Sequence, residues 1–163
     1  MRIIGIDPGT AITGWGLVDG DGQRLTMVAC GVVKTPAGMA LPQRLQIIYQ
    51  ELTDIIAQWQ PQGSAIEELF FGKNAKTALT VGHGRGAALL ALANAGLPIT
   101  EYKPLEVKQA ITGHGGADKQ QMQQMVRLLL NLAEIPQPDD AADALGVAIC
   151  HLHSARLRLL EEK

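Results

Sequence analysis

The first 34 residues constrain the fold most, because they predict three consecutive strands joined by short turns. Arg2 to Asp7 is rich in isoleucine and ends in a Pro-Gly turn, and Ile12 to Val18 follows as a second strand. The sequence DGDG at 19–22 is a strong hairpin signal, so residues 23–34 are expected to form a third strand, antiparallel to the second. A chain that begins with such a meander builds a sheet from its N-terminus.

Strands and helices alternate after this meander. Helices are predicted at 41–59, 75–95, 103–112, 118–133 and from 139 or 140 to about 160, and strands at 64–68 and 97–102. The order β-β-β-α-β-α-β-α-α-α predicts an α/β fold in which a five-stranded mixed sheet carries helices on both faces. Because the 163 residues contain no repeat and no linker, we expect one domain spanning residues 1–163.

Composition and charge narrow the class of protein. We see no apolar run long enough to cross a bilayer and no signal-peptide pattern at the N-terminus. Two cysteines without motif spacing, Cys30 and Cys150, are typical of reduced thiols in a cytoplasmic protein. The formal charge of −2 argues weakly against a nucleic-acid partner, although residues 73–127 carry seven Lys or Arg against three acids. Taken alone, that asymmetry is typical of an ordinary solvated surface.

Carboxylates stand at the ends of two strands and at the start of the last helix. Asp7 ends the first strand, and Glu67 and Glu68 end the fourth. If these strands are parallel neighbours, their carboxyl ends share the sheet edge where open α/β folds place their sites. In PDDAADALGVAI the acids at 139 and 143, or those at 140 and 143, lie on one helix face. The spacing leaves both pairings open.

These acids need a compensating positive charge. Turn formation and helix capping account for the acids at 7, 139 and 140, but not for Glu67 or Asp143 beside apolar residues. Carboxylates gathered near a core repel and desolvate one another. Two Mg²⁺ ions roughly 3.5–4 Å apart would neutralise them and can clamp a phosphoryl displacement. Two such ions would also change the net charge to about +2, which attracts a phosphate backbone.

Four segments carry a resemblance over nearly the whole chain: GIDPGTAITGWGLVD, AIEELFFGKNA, VKQAITGHGGADKQQMQQMV and DDAADALGVAI. They resemble, in order and spacing, the diagnostic segments of the RuvC family of bacterial Holliday-junction resolvases. The resemblance implies a ribonuclease-H-like fold, a homodimer, and Mg²⁺-dependent paired nicking of four-way DNA junctions in recombination and repair. It also implies 5′-phosphate and 3′-hydroxyl products, substitution of Mg²⁺ by Mn²⁺, and a RuvA–RuvB branch-migration complex as partner.

The resemblance selects particular acids. Asp7 in GIDPGT and Glu67 after AI match the first two catalytic acids. The D-A-A-D-A-L pattern selects Asp140 and Asp143, so we expect these four residues to be catalytic and to bind metal. Asp139 is then an extra acid and is expected to cap the helix, and Glu68 is extra as well.

The expected DNA contacts combine one aromatic residue with several cations. Phe70 resembles a base-stacking wedge beside the site, where a flat ring can stack on an unpaired base while cations hold the backbone. For the neighbouring Phe71, a core position is as good an interpretation as contact. The cations expected to contact DNA are Lys73, Lys76, Arg85, Lys108 and Lys119. Ordinary solvated positions for Lys73 and Lys76, and a structural role for Arg85, stay open.

The predicted helix at 75–95 contains three glycines, at 82, 84 and 86. Each costs about 1 kcal/mol relative to alanine in a helix, so another backbone is expected to come close. Packing within the chain is one interpretation. The resemblance favours a homodimer contact through residues 77–95.

Three other functions deserve comparison. Actin-like sugar kinases and chaperone ATPases share IDxGT followed by a glycine-rich strand, but they need two such domains and lack the paired D-x-x-D. A related ribonuclease-H-like ribosomal-RNA-processing nuclease shares the first motif, whereas the long match at 103–127 favours the resolvase. A non-catalytic junction-binding protein would not need the full set of acids.

Overall fold

The computed structural model describes residues 1–21, 23–69, 72 and 74–161, and for 156 and 158–161 it describes the backbone only. Ten elements follow one another in the predicted order. They are β1 (Arg2–Asp7), β2 (Ile12–Gly20), β3 (Leu25–Lys34), α1 (Leu41–Trp59), β4 (Gly63–Glu67), α2 (Ala75–Asn94), β5 (Ile99–Tyr102), α3 (Pro104–Thr112), α4 (Lys119–Leu129) and α5 (Asp139–Glu161).

The five strands form one mixed sheet in the order β3-β2-β1-β4-β5. The first three strands pair antiparallel, as the meander predicts. Strand β4 pairs parallel with β1, so that Ile6 lies beside Ile66, and β5 pairs parallel with β4. The parallel pairing of β1 and β4 confirms the expectation that these two strands end at the same edge of the sheet.

The side chains of each strand alternate between the two faces of the sheet, and each face packs into its own hydrophobic core. Ile4, Ile6 and Ile66 pack with buried residues of α1 and α2. Ile3 and Ala65 pack on the opposite face with buried residues of α3, α4 and α5. Helices therefore cover both faces, as predicted, and the odd-numbered residues of β1 and β4 point toward α5.

Three glycines, which we call the glycine column, let the backbone of α5 lie directly on the sheet. A Cβ added at Gly5 would come within 2.1 Å of the carbonyl oxygen of Ala144. At Gly14 it would come within 2.0 Å of the Asp140 carbonyl oxygen, and at Gly16 within 2.9 Å of the backbone nitrogen of residue 145. No side chain fits between α5 and these strands, so the helix is held at backbone contact distance.

The predicted element ends were wrong in places where side chains or backbone conformation intervene. Helix α4 ends at Leu129 rather than 133, because Asn131 has a φ of 52°, which a right-handed helix does not accommodate. Strand β3 begins at Leu25 rather than 23, since Asp21 Oδ1 accepts hydrogen bonds from the backbone of residues 23 and 24 and keeps them in the turn. Within the described residues, no helix is both long and apolar enough to cross a membrane.

Candidate active site

The acids selected from the sequence lie around one end of the sheet. Asp7 and Glu67 are the last residues of β1 and β4, and both belong to the alternation that faces α5. Gly14 is the partner of Asp7 across the β1–β2 ladder, and it also lies directly under the Asp140 carbonyl. The close approach of α5 to β2 therefore places the first turns of the helix beside Asp7.

The pKa of Asp7 shows that the charges of these carboxylates interact. The pKa of Asp7 is raised from 3.8 to about 8, first by burial and then by the negative charges of Asp143, Glu67 and Asp140. Burial also raises the pKa of Glu67, again with a contribution from Asp143. Carboxylates this close repel one another when they are ionised, so ionisation of all of them is unfavourable unless a cation binds among them.

Two lysines supply part of the missing positive charge. Lys119 Nζ, at the start of α4, lies 3.4 Å from Asp139 Oδ2 and 3.5 Å from Asp143 Oδ2. Burial raises the pKa of Asp143, and the ammonium of Lys119 partly offsets that rise. Lys108, on α3, likewise lowers the pKa of Glu67 against the effect of burial. The acidic cluster and the two cations thus belong to one electrostatic system.

Glu67, Asp143 and the two lysines line a cleft of about 230 Å³, whereas Asp7 and Asp140 are not part of its lining. Its lining consists of Glu67, Pro104, Val107, Lys108, Lys119, Met122, Asp143 and Val147. The lining of this cleft therefore includes two carboxylates and two ammonium groups. Such a cleft can hold a hard cation through its acids and a phosphate through its lysines.

The donor set of this cleft fits Mg²⁺. In the described part of the chain, no three His, Cys, Asp or Glu side chains are grouped so that they could hold a metal ion together. Mg²⁺ does not need such a group, because it keeps several waters and takes one or two protein carboxylates. The Lys119 ammonium, within 3.5 Å of Asp143, occupies a position where a positive charge is favourable.

The structure describes only some of the residues that are expected to contact DNA. Phe70 and Lys73, with Phe71, lie outside the described residues. Lys76 is exposed in the first turn of α2 and lines a groove with residues 9–12 of the loop after Asp7. Arg85 is engaged within the chain: its Nε donates to the carbonyl of Glu67 at 3.0 Å, and its guanidinium pairs with Glu101. These contacts favour the structural role that the sequence left open for Arg85.

The two extra acids, Asp139 and Glu68, lie in different surroundings. Asp139 is the first residue of α5 rather than its cap, because the carbonyl of Pro138 accepts the hydrogen bond from Ala141 N. The capping expectation was therefore wrong, and Asp139 is instead an exposed partner of Lys119. Glu68 lies beyond β4 and lines a different groove with Leu69 and Leu105.

Sequence reasoning missed a set of buried threonines around the loop that follows Asp7. Thr10, Thr13 and Thr35 are each less than 8% exposed. Thr13 Oγ1 donates to the carbonyl of Gly9 at 2.6 Å, and Thr35 Oγ1 donates to the carbonyl of Thr10 at 2.5 Å. The available signal was the sequence GTAIT, which places two hydroxyl side chains in an otherwise apolar turn.

The three helix glycines have different surroundings. At Gly84 an added Cβ would lie 2.7 Å from the carbonyl oxygen of Gly9, so this glycine packs within the chain. At Gly86 an added Cβ would meet nothing within 4 Å. Gly86 shares its helix face with Leu79 and Leu90, whose exposed fractions are 63% and 53%. Packing within the chain therefore explains Gly84, whereas Gly86 lies on an exposed apolar face of the helix.

Comparison with known proteins places this site in a family. The family model described as crossover junction endodeoxyribonuclease RuvC matches residues 3–151. The crossover junction endodeoxyribonuclease RuvC of Chloroflexus aggregans is 62% identical over 155 residues, covering 95% of this chain and 94% of that protein. The RuvC of a Roseiflexus species is 59% identical over 162 residues, covering 99% and 96%.

A solved structure agrees with these sequence matches. The T. thermophilus RuvC, solved in complex with a Holliday junction substrate, superposes with a TM-score of 0.92 at 37% identity, covering 97% of this chain and 96% of that one. The predicted ribonuclease-H-like fold is thereby confirmed. The chain belongs to the RuvC family of crossover junction endodeoxyribonucleases, metal-dependent nucleases that act on DNA.

Proposed function

We propose that this chain resolves four-way DNA junctions by paired symmetric nicks, with Asp7, Glu67, Asp140 and Asp143 as its catalytic acids. One observation carries the proposal: a half-buried Asp7, close to the charges of the other three acids, adjoins a cleft that also presents two lysines. The Holliday junction held by the T. thermophilus relative, at 37% identity, supports this substrate.

The same four acids would hold two Mg²⁺ ions, for which Mn²⁺ would substitute. When bound, such ions supply an activated water and stabilise the charge that develops on the leaving oxygen. The chain contributes the placement of the ligands. Arg85 fixes the carbonyl of Glu67, and the contact of α5 with Gly14 fixes the start of the helix beside Asp7.

Lysines around the cleft would hold the DNA backbone. Lys108 and Lys119 line the cleft from α3 and α4, so a phosphate bound in the cleft would meet both ammonium groups. Lys76 would contact the backbone at the other side of the Asp7 loop, where it is exposed. Phe70 and Lys73 stay predictions, as base-stacking and phosphate contacts.

Paired nicks require two active sites, and the exposed face of α2 offers a way to join them. Leu79 and Leu90 lie on this face with Gly86 between them, in a helix that is otherwise rich in small residues. We propose that two copies of the chain pair through residues 77–95. We further propose one nuclease domain over residues 1–163, a cytoplasmic location, and cooperation with the RuvA–RuvB complex.

The direct test offers the purified protein a synthetic four-way junction and a duplex of the same sequence, each with Mg²⁺ and with EDTA. We expect nicks in two opposed strands of the junction, with 5′-phosphate and 3′-hydroxyl ends, and only with Mg²⁺. Asp7→Asn serves as the inactive control. Equal cleavage of the duplex, or cleavage in EDTA, would contradict the proposal.

A further inference from the structure

The loop between Asp7 and β2 is held by hydrogen bonds that the proposed chemistry does not use. It consists of residues 8–11, and it is the direct continuation of β1 beyond Asp7. Thr10, at its centre, is 2% exposed. A polar side chain so deeply buried is costly unless its hydrogen bonds are satisfied, so its partners define what it does.

Thr10 bonds in two directions. Its hydroxyl donates to the carbonyl of Thr80 in α2. Its own carbonyl accepts a hydrogen bond from Thr35 Oγ1 at 2.5 Å, just beyond the end of β3. Thr35 Oγ1 in turn accepts from Arg44 Nε of α1 at 2.8 Å. An unbroken chain of hydrogen bonds therefore runs from α1, through the loop, to α2.

Other contacts leave the loop little freedom. Thr13 Oγ1 donates to the carbonyl of Gly9, and Ala11 accepts a bond from the backbone of Thr35. The backbone of Gly9 lies so close to Gly84 of α2 that a Cβ at position 84 would not fit. Hydrogen bonds linked in a chain strengthen one another in a low-dielectric interior. A shift of Thr10 would therefore be transmitted to Asp7 through only two residues, one of them proline.

We infer that Thr10 is a positioning residue, which holds the loop after Asp7 between α1 and α2 and thereby keeps the Asp7 carboxylate in place for a divalent cation. The inference rests on the metal site proposed above. Loss of a group that hydrogen-bonds directly to a metal ligand lowers metal affinity by about 10–100-fold. Thr10 acts on Asp7 through the intervening backbone, so we expect an effect at the lower end of that range.

The test measures cation binding to the DNA-free protein, with Mn²⁺ as the probe, by calorimetric titration. Thr10→Val keeps the shape of the side chain but removes the donor, and we expect Mn²⁺ affinity to fall by about 10-fold. Thr10→Ser keeps the donor and should bind nearly as the parent does. Thr53→Val is the control outside this network, because the half-buried Thr53 also donates to a backbone carbonyl, that of Tyr49 one turn earlier in α1.

Melting temperatures separate positioning from general stability. We expect Thr10→Val and Thr53→Val both to melt below the parent, while only Thr10→Val loses affinity for Mn²⁺. If Thr10→Val does not fold, Thr35→Val breaks the same chain from the other side and should weaken Mn²⁺ binding similarly.

The outcomes are distinct. Parent-like Mn²⁺ affinity in a folded Thr10→Val, or in Thr35→Val where that variant replaces it, overturns the inference. Equal losses of affinity in Thr10→Val and Thr53→Val overturn it as well. A parent protein that binds no Mn²⁺ would instead refute the metal site on which the inference depends.

Discussion

Asp7 shows at the residue scale how the site opposes its own ionisation. Its pKa of about 8 means that a metal-free protein holds a proton there at neutral pH, whereas the unfolded chain does not. Binding of a cation must displace this proton, so cation affinity is expected to rise with pH. In its proposed role as a metal ligand, Asp7 would therefore be ionised mainly when a cation is bound.

This shift predicts a pH-dependent stability. Below about pH 4 Asp7 is protonated in both states, and between about pH 4 and 8 only the unfolded state releases the proton, so the free energy of unfolding falls as pH rises. Asp7→Asn cannot ionise. In EDTA it should melt progressively above the parent from pH 4 to pH 8, with about 1.4 kcal/mol for each displaced pKa unit. Mg²⁺ at pH 8 should raise the melting temperature of the parent alone.

Asp19→Asn is the control with opposite sign. A hydrogen bond from Arg2 lowers the pKa of Asp19, at the far end of the same sheet. Its stabilising contribution is present above the unfolded pKa and is lost as pH falls, so this variant should melt below the parent at neutral pH, with a difference that shrinks toward low pH. A melting difference for Asp7→Asn that does not change with pH would contradict the assignment.

The two acids at the start of α5 are expected to behave differently on substitution. Asp140 contributes to the field at Asp7, whereas Asp139 is exposed and pairs with Lys119. Asp140→Asn should reduce junction nicking by at least about 100-fold, more than the loss of an outer-shell partner. Asp139→Asn should stay active. Both rates are measured on one synthetic junction, with binding measured separately, and the reverse order of activities would overturn the chosen pair.

At the scale of elements, sequence patterns located the strands and helices that carry the acids. The apolar spacing predicted α1 with both ends correct, and the strand order placed Asp7 and Glu67 at one sheet edge. What the patterns did not contain was distance. That Asp140 lies over Gly14, and that Arg85 donates to the carbonyl of Glu67, depends on contacts between residues remote in sequence. The threonine network was missed for the same reason.

The glycine column makes a prediction at this scale. Gly5→Ala would place a methyl group against the backbone of Ala144, and because neither backbone can move without repacking, we expect a loss of about 3 kcal/mol in unfolding free energy. Gly63→Ala is the matched control in β4, where the new methyl would meet only the flexible end of Ile3. It should cost less than about 1 kcal/mol. Denaturant unfolding of both variants provides the measurement, and similar costs would mean that α5 can retreat.

For the whole molecule, the two faces of the sheet have different tasks. The α5 side carries the acids and the cleft, and the α1–α2 side carries the exposed leucines of α2. The loop after Asp7 connects the two, because it continues directly from Asp7 and its Gly9 backbone lies against Gly84 of α2. Pairing through α2 would therefore act on a helix that is already bonded to the loop beside the site.

The dimer proposal can be tested on the same scale. Leu90→Glu should convert the protein into a monomer, because burial of each leucine contributes about 1.5–3 kcal/mol and a buried carboxylate reverses that gain. Leu128→Glu is the control, since Leu128 is similarly exposed, at 57%, but lies on α4. Light scattering after size-exclusion chromatography gives the mass of each variant. A Leu90→Glu variant of unchanged mass, or a parent that is already monomeric, would exclude pairing through this face.

The glycine column also affects how a saturation mutagenesis experiment on this enzyme would read. Gly5, Gly14 and Gly16 carry no functional group, yet every other residue type adds atoms where α5 backbone already lies. We expect a survival assay to score these three positions as intolerant as the four acids. A ranking of positions by tolerance would then not distinguish residues needed for catalysis from glycines needed for close packing. Soluble protein yield separates them, because an acid-to-amide variant accumulates as folded protein while a glycine variant does not.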